Sequence, residues 1–290
     1  MNDLLNLALH PPAATGGAPP RPGKVTLVGA GPGDPELLTV RAWRALRHAQ
    51  VVLYDQLVGS EILDLLPADA DRIDVGKHAG HHTLPQEQII ELLLNLARAG
   101  RPVLRLKGGD PYIFGRGGEE ALALAEAGIP FEVVPAISAA QGASALAGMP
   151  LTHRDHAQAL VFATGHLRAD GHGQGRAVDL DWELLARPRQ TVVIYMGLAA
   201  LPEICHQLAA HGLPVDHPAA VVQDIARPSM RTVTGTLATL PQRVQDAGLR
   251  PPALILVGEV VRLHHQLQTT TAQALMRAAQ TDMPISLISS

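Results

Sequence analysis

Short apolar segments alternate with longer segments of helical spacing along most of this 290-residue chain. In the first half, the pattern predicts strands at 25–28, 51–54, 103–106 and 131–134, and helices at 35–48, 86–99 and 119–127, the last ending at Gly128. After residue 134 it predicts a small-residue helix (AISAAQGASALAGMP) and apolar strands at 159–163, 191–196, 219–222 and 253–257. Alternation of this kind is typical of an α/β protein in which helices cover a parallel or mixed sheet.

The change in character near Pro135 predicts two α/β domains, at 24–135 and 136–265. Residues 1–23 are rich in Ala, Pro and Gly and are predicted to be a disordered tail, as are residues 266–290 at the other end. The run GHGQG at 171–175 indicates a flexible internal loop. Two domains of this size would leave a cleft between them, which is a frequent place for a small-molecule site.

Composition excludes several classes of function. Aromatic residues are 3% of the chain and the formal net charge is -4, which disfavours binding to nucleic acid by base stacking or by a basic face. The single cysteine, Cys205, rules out an intrachain disulfide and a cysteine metal cluster and suits a reducing cytoplasm. With no signal-peptide pattern and no apolar run of membrane-spanning length, we expect a cytoplasmic protein without a membrane partner.

The first glycine loop, VTLVGAGPGDPELL, follows a predicted strand and invites a dinucleotide interpretation, with Asp55 in place of the ribose-binding acid. We reject this interpretation, because Pro32 and Pro35 lack N–H groups and Asp34 would repel a phosphate. The loop therefore favours a cofactor without phosphate. Asp34 followed by proline is predicted to cap the next helix rather than to take part in catalysis.

A second glycine loop lies in LRLKGGDPYIFGRGGEE, residues 104–120. Gly108 and Gly109 allow a main-chain approach to a ligand, and Asp110 can accept hydrogen bonds from hydroxyl or amino groups. Arg116 and Glu119 follow at the junction of strand and helix, where open α/β sheets bind ligands. The alternative is a tight turn with a solvated Arg–Glu pair, and the segment alone does not decide between the two.

Several motifs occur together in a fixed order: VTLVGAGPGDPELLT, VVLYD, VGKHAGHH, LRLKGGDPYIFGRGGEE, VVPAISAA, GMPLTHRD, ATGH, YMG and PALILVGEVV. In this order they closely resemble the uroporphyrinogen-III C-methyltransferases of the tetrapyrrole methylase superfamily, over roughly residues 25–262. The resemblance implies two α/β domains with the active site in the interdomain cleft, and a homodimer. It also implies transfer of methyl groups from S-adenosyl-L-methionine to C2 and C7 of uroporphyrinogen III, which gives precorrin-2 and S-adenosyl-L-homocysteine. Precorrin-2 leads to sirohaem, cobalamin or haem d1, and the sequence does not tell which.

The resemblance also implies a cofactor site built largely from main-chain atoms. Its residues are Pro32, Gly108, Gly109, Asp110, Ile113, Ser138, Ala139, Met196 and Ala226. Ala226 replaces the glycine of many relatives. No metal is expected, because the HAGHH cluster at 78–82 lacks supporting acids or cysteines.

The substrate carries eight carboxylates, so we expect arginines and lysines to bind it, and Arg116, Arg154 and Lys77 are the candidates, with Glu119 beside them. Loss of a proton after methyl transfer calls for a base, for which Glu119 is the first candidate and Asp55 the second. Family resemblance instead favours Asp55 with Lys77 as the acid–base pair, and the sequence does not choose between them. Two alternatives remain: a methylase of a later corrin intermediate, and a non-catalytic module that binds the cofactor or a tetrapyrrole.

Overall fold

The computed structural model describes residues 21–76, 84–166, 168–169 and 176–268. The chain divides into two compact units between Ala139 and Ala140, and each unit has a five-stranded sheet of its own. The domain limits drawn from the sequence stay a prediction.

The first unit is a parallel sheet with helices on both faces. Its strands are β1 Val25–Gly29, β2 Val51–Tyr54, β3 Asp71–Asp74, β4 Val103–Lys107 and β5 Phe131–Val134. Its helices are α1 Val40–Arg47, α2 Ser60–Leu63, α3 Gln86–Arg98 and α4 Gly117–Glu126, with a 3-10 turn at Pro35–Leu37. The strand order is β3-β2-β4-β1-β5, and all four pairings are parallel.

Alternation along the strands explains the two layers of helices. Leu27 and Leu53 face one core with α3 and α4, whereas their neighbours Val28 and Val52 face the other core with α1 and α2. Parallel strands buried on both faces have nearly continuous apolar sequences, as β1 and β2 have.

The second unit contains a mixed sheet. After α5 Ala139–Ala147, its strands are β6 Ala159–Thr164, β9 Gln190–Tyr195, β10 Pro218–Gln223, β11 Arg231–Thr236 and β12 Ala253–Val257, with a small antiparallel pair of β7 Arg168–Ala169 and β8 Arg176–Ala177. Its helices are α6 Trp182–Leu185, α7 Leu201–Ala210 and α8 Leu240–Asp246, and 3-10 turns lie at Leu198–Ala200 and Glu259–Leu263. The order is β11-β10-β12-β9-β6, in which β6 and β9 are parallel and the other pairs antiparallel.

The predicted fold class, α/β with sheets covered by helices, is confirmed. The predicted helix 35–48 was wrong as one element, because Thr39 accepts a hydrogen bond from the Ala42 N–H and starts a new helix after the 3-10 turn. Gly128 ends α4 at φ +67°, as predicted. The GHGQG loop and most residues of both predicted tails lie outside the described residues. Within the described ranges, every helix is too short or too polar to cross a membrane.

Candidate active site

The carboxyl ends of the parallel strands bring two glycine loops of the first unit together. The loops after β1 and β4 exchange main-chain hydrogen bonds, Gly31 N–H to the Gly109 oxygen at 3.3 Å and Gly109 N–H to the Gly31 oxygen at 2.8 Å. Ala30 N–H donates to the Lys107 oxygen at 2.8 Å. The two motifs that the sequence singled out separately therefore form one surface at the edge where α/β sheets bind ligands.

The close approach of the loops explains why glycine occupies several of their positions. A Cβ atom on Gly29 would lie 2.4 Å from the Ala136 Cβ, and one on Gly108 would lie 2.8 Å from the Leu57 Cβ. Gly109 has φ +69°, a backbone angle that residues other than glycine adopt only at a cost in conformational energy. Larger residues at these positions would separate the loops that follow β1, β2, β4 and β5.

Asp110 has a structural role that the sequence did not reveal. Its Oδ1 accepts from the Tyr112 N–H and its Oδ2 from the Ala136 N–H, each at 2.9 Å. Each oxygen retains acceptor capacity, so the carboxylate can still bind a ligand. The contacts first fix the β4 loop against the segment that follows β5.

The first glycine loop does not suit a pyrophosphate. The Ala30 N–H donates to the Lys107 oxygen at the end of β4, the Gly31 N–H donates to the Gly109 oxygen in the loop that follows, and Asp34 accepts from the Glu36 N–H at 2.8 Å as a helix cap. Pyrophosphate sites need free N–H groups at a helix start. The rejection of a dinucleotide and the capping role of Asp34 thus agree with the geometry.

Four further candidate cofactor residues fall into two groups. In the first unit, Ser138 is buried at 1% exposure, and Ala139 N lies 4.0 Å from where a Cβ of Gly109 would be. In the second unit, Met196 directly follows β9 and has φ +55°, and Ala226 lies three residues after β10 and has φ +59°. Non-glycine residues with positive φ are uncommon and concentrate at functional sites.

Arg116 and Glu119 form an exposed pair at the start of α4. The guanidinium donates from Nε to Oε1 at 2.7 Å and from Nη2 to Oε2 at 2.6 Å, and the side chains are 52% and 51% exposed. The hydrogen bond with Arg116 lowers the pKa of Glu119, and the same bond raises the pKa of Arg116. Arg116 itself has φ +59°, so the turn holds the pair in a less common backbone conformation.

The other cationic candidates are less informative. Arg154 is exposed in the second unit, whereas Lys77 and the HAGHH cluster lie outside the described residues. Among the residues that the structure describes, no group of His, Cys, Asp or Glu is arranged to hold a metal ion.

The structure also contains a buried charged cluster that the sequence interpretation missed. Arg105 and Lys107 point from β4 toward Asp55, at the end of β2, and Glu120, in α4. Their exposures are 1% for Arg105, 2% for Lys107 and 0% for Glu120. Period-two alternation, which places residues 103, 105 and 107 on one face, was the signal in LRLKGG that could have indicated it.

Comparison with known proteins defines the class. Residues 24–241 match the family of Tetrapyrrole (Corrin/Porphyrin) Methylases. Siroheme synthase of Nitrosospira multiformis is 58% identical over 248 residues, which are 86% of this chain and 51% of that protein. Siroheme synthase of Methylobacillus flagellatus is 59% identical over 245 residues, which are 84% of this chain and 51% of that protein. The chain thus spans about half the length of the curated relatives it matches.

Solved structures agree with this class. Uroporphyrin-III C-methyl transferase from Thermus thermophilus, complexed with S-adenyl homocysteine, is 43% identical with TM-score 0.69, covering 83% of this chain and 100% of that one. A cobalt precorrin-4 methyltransferase is 28% identical with TM-score 0.70, covering 82% and 95%. The chain belongs to the tetrapyrrole methylase family. The resemblance inferred from the motifs is confirmed, whereas the roles of individual residues and the interdomain position of the site stay predictions.

Proposed function

We propose that the chain is an S-adenosyl-L-methionine-dependent methyltransferase that methylates uroporphyrinogen III at C2 and C7 to give precorrin-2. The observation that carries the proposal is the similarity, over the whole length of that chain, to the Thermus thermophilus enzyme described with S-adenyl homocysteine. The likeness to a methyltransferase of a later corrin intermediate is lower in identity, at 28% against 43%. Uroporphyrinogen III is therefore preferred as the substrate.

The glycine loops of the first unit fit this cofactor. S-adenosyl-L-methionine supplies an electrophilic methyl group, and it carries a sulfonium cation and no phosphate. The first glycine loop has two prolines and an acid, and its main-chain amides already donate hydrogen bonds to β4 and the loop after it. These properties suit S-adenosyl-L-methionine better than they suit a dinucleotide. Pro32, Gly108, Gly109 and Asp110 would contact it in this unit.

Substrate binding is assigned to Arg116 and Arg154, each a planar fork that can hold a carboxylate through two parallel bonds. The exposed Arg116 can turn from Glu119 to a substrate carboxylate, which would release Glu119 to accept a proton from the methylated macrocycle. Glu119 remains the first candidate for this step and Asp55 the second, and Lys77 is a further candidate as proton donor or carboxylate ligand. A homodimeric, cytoplasmic enzyme is part of the same proposal.

Incubation of the pure protein with uroporphyrinogen III and methyl-labelled cofactor tests the function. We expect two labelled methyl groups per macrocycle and formation of S-adenosyl-L-homocysteine in the same ratio. Labelling of a later corrin intermediate but not of uroporphyrinogen III would instead identify the sister activity. Cofactor binding without transfer to either substrate would indicate a binding module.

A further inference from the structure

Four charged side chains form a cluster behind the carboxyl end of β2. Arg105 and Lys107 supply two positive charges and Asp55 and Glu120 supply two negative charges, so the cluster is balanced. Three members are buried, and only Asp55, with a side chain 28% exposed, reaches solvent. The Asp55 carboxylate is therefore the one group through which the cluster can act on a ligand at the surface.

The contacts fix both oxygens of that carboxylate. Arg105 Nη2 donates to Asp55 Oδ1 at 2.5 Å, and Lys107 Nζ donates to Asp55 Oδ2 at 3.4 Å. The Asp55 N–H also donates to the Leu106 oxygen at 3.3 Å, so main chain and side chain are held by the same neighbouring strand. A carboxylate held on both sides keeps one orientation at the edge of the sheet.

Glu120 holds the two cations in turn. Its Oε1 accepts from Arg105 Nε, Lys107 Nζ and Gln86 Nε2, each at 3.1 Å. Arg105 Nη1 also donates to the Leu53 oxygen at 3.4 Å and the Leu106 oxygen at 3.3 Å. Burial by itself lowers the pKa of Arg105, but the charges of Asp55 and Glu120 and their hydrogen bonds to the guanidinium have the larger effect and raise this pKa. The guanidinium therefore stays charged.

Stability does not explain this arrangement. Burying charged groups carries a large desolvation penalty, and apolar side chains of similar volume often replace a buried ion pair without loss of stability. The same face of the sheet is otherwise lined with Leu, Ile and Val. A charged cluster that leads to one exposed carboxylate is better explained by what it does to that carboxylate.

We propose that Arg105, Lys107 and Glu120 are positioning residues that fix the Asp55 carboxylate for the methyl-transfer reaction. This inference rests on the proposed function and on Asp55 facing the substrate. Arg105 and Lys107 hold the two oxygens, and Glu120 holds Arg105 and Lys107. None of the three needs to contact the substrate.

A double-mutant cycle tests the inference. Lys107→Met with Glu120→Gln removes one charge of each sign, so the buried cluster stays balanced while Asp55 loses one partner. We expect kcat to fall roughly 10-fold, since small misplacements of a reacting group can cost up to about 100-fold, with the Kd for S-adenosyl-L-homocysteine unchanged. In an Asp55→Asn background, the same pair should change kcat by less than about twofold, because residues that act through one group are not additive.

The matched control is Lys24→Met with Glu132→Gln, which removes an exposed ion pair of 2.9 Å from the same sheet and should leave kcat unchanged. If the buried pair lowers kcat equally with and without Asp55, the positioning role is wrong. Should the Lys107→Met, Glu120→Gln protein fail to fold, Lys107→Arg keeps the charge and shifts the donor. Its effect on kcat is then compared with and without Asp55 in the same way. Wild-type protein that does not methylate uroporphyrinogen III would refute the proposed function rather than this inference.

Discussion

Replacement of Asp110 by asparagine separates a structural role from direct contact with the cofactor. Asp110 accepts two main-chain N–H groups, one from Tyr112 and one from Ala136. Asparagine keeps the shape but has one oxygen, so one of the two N–H groups would face an amide NH2. Loss of a hydrogen bond to a partly buried backbone donor costs about 1–3 kcal/mol. We expect the free energy of unfolding of the cofactor-free first unit to fall by that amount.

The same change should weaken cofactor binding. If the loop must regain its shape when the cofactor binds, the full cost converts to a loss of about 5- to 150-fold in affinity for S-adenosyl-L-homocysteine. Calorimetry measures the affinity. Urea unfolding, followed by Trp43 fluorescence in a Trp182→Phe background, measures the stability of the first unit alone, because each unit contains one of the two tryptophans.

Asp34→Asn is the matched control. Within the described part of the chain, the Asp34 carboxylate accepts a hydrogen bond from the Glu36 N–H, and asparagine caps a helix start about as well as aspartate. Its stability should change by less than about 0.5 kcal/mol. An Asp110→Asn protein with unchanged stability and reduced affinity would refute the structural role and show that Asp110 acts on the cofactor directly.

Three further outcomes are expected. Gly109→Val should weaken S-adenosyl-L-homocysteine binding in calorimetry, because valine is strained at φ +69°. Gly118→Val, with no heavy atom within 4 Å of its Cβ, should leave binding unchanged. Equal effects of the two changes would remove Gly109 from the site. Glu119→Gln should lower turnover by about 100-fold or more, and Asp55→Asn by less; the reverse order in steady-state kinetics would make Asp55 the principal base. Burial raises the pKa of Cys205 to about 12, so the thiol stays protonated at neutral and mildly alkaline pH; a thiol reagent should react far more slowly with folded than with unfolded protein, and equal rates would contradict this.

Much of the fold follows from apolar patterning. The predicted strand at 51–54 matches β2, a central parallel strand that is apolar throughout, and the predicted strand at 131–134 matches β5, an edge strand whose sequence FEVV is still mostly apolar. The missed strands β3 and β11 lie at sheet edges and have polar sequences, DRID and RTVTGT. Such strands form because they hydrogen-bond to one neighbouring strand, and the composition of a segment does not reveal that pairing.

The sequence indicates the candidate site most directly where backbone conformation dictates the residue. The paired glycine loops were found because glycine is required at close approach, as at Gly29 and Gly108. The cluster around Arg105 was missed, because its partners Asp55 and Glu120 are distant in sequence and a lone charged residue in a strand does not indicate burial. The second role of Asp110 depends on the Ala136 N–H, which only the folded chain brings near.

The strand order of the first unit governs when this protein can fold during its own synthesis. β1 is made first, yet its neighbours are β4 and β5, so Val25–Gly29 has no sheet partner until Val103–Lys107 has left the ribosome. In the second unit, β10 can pair with β11 across a short connection as soon as both emerge. A nascent chain stalled before β4 would carry an apolar strand with both edges open, which is the kind of segment that chaperones bind and that aggregates when they are absent.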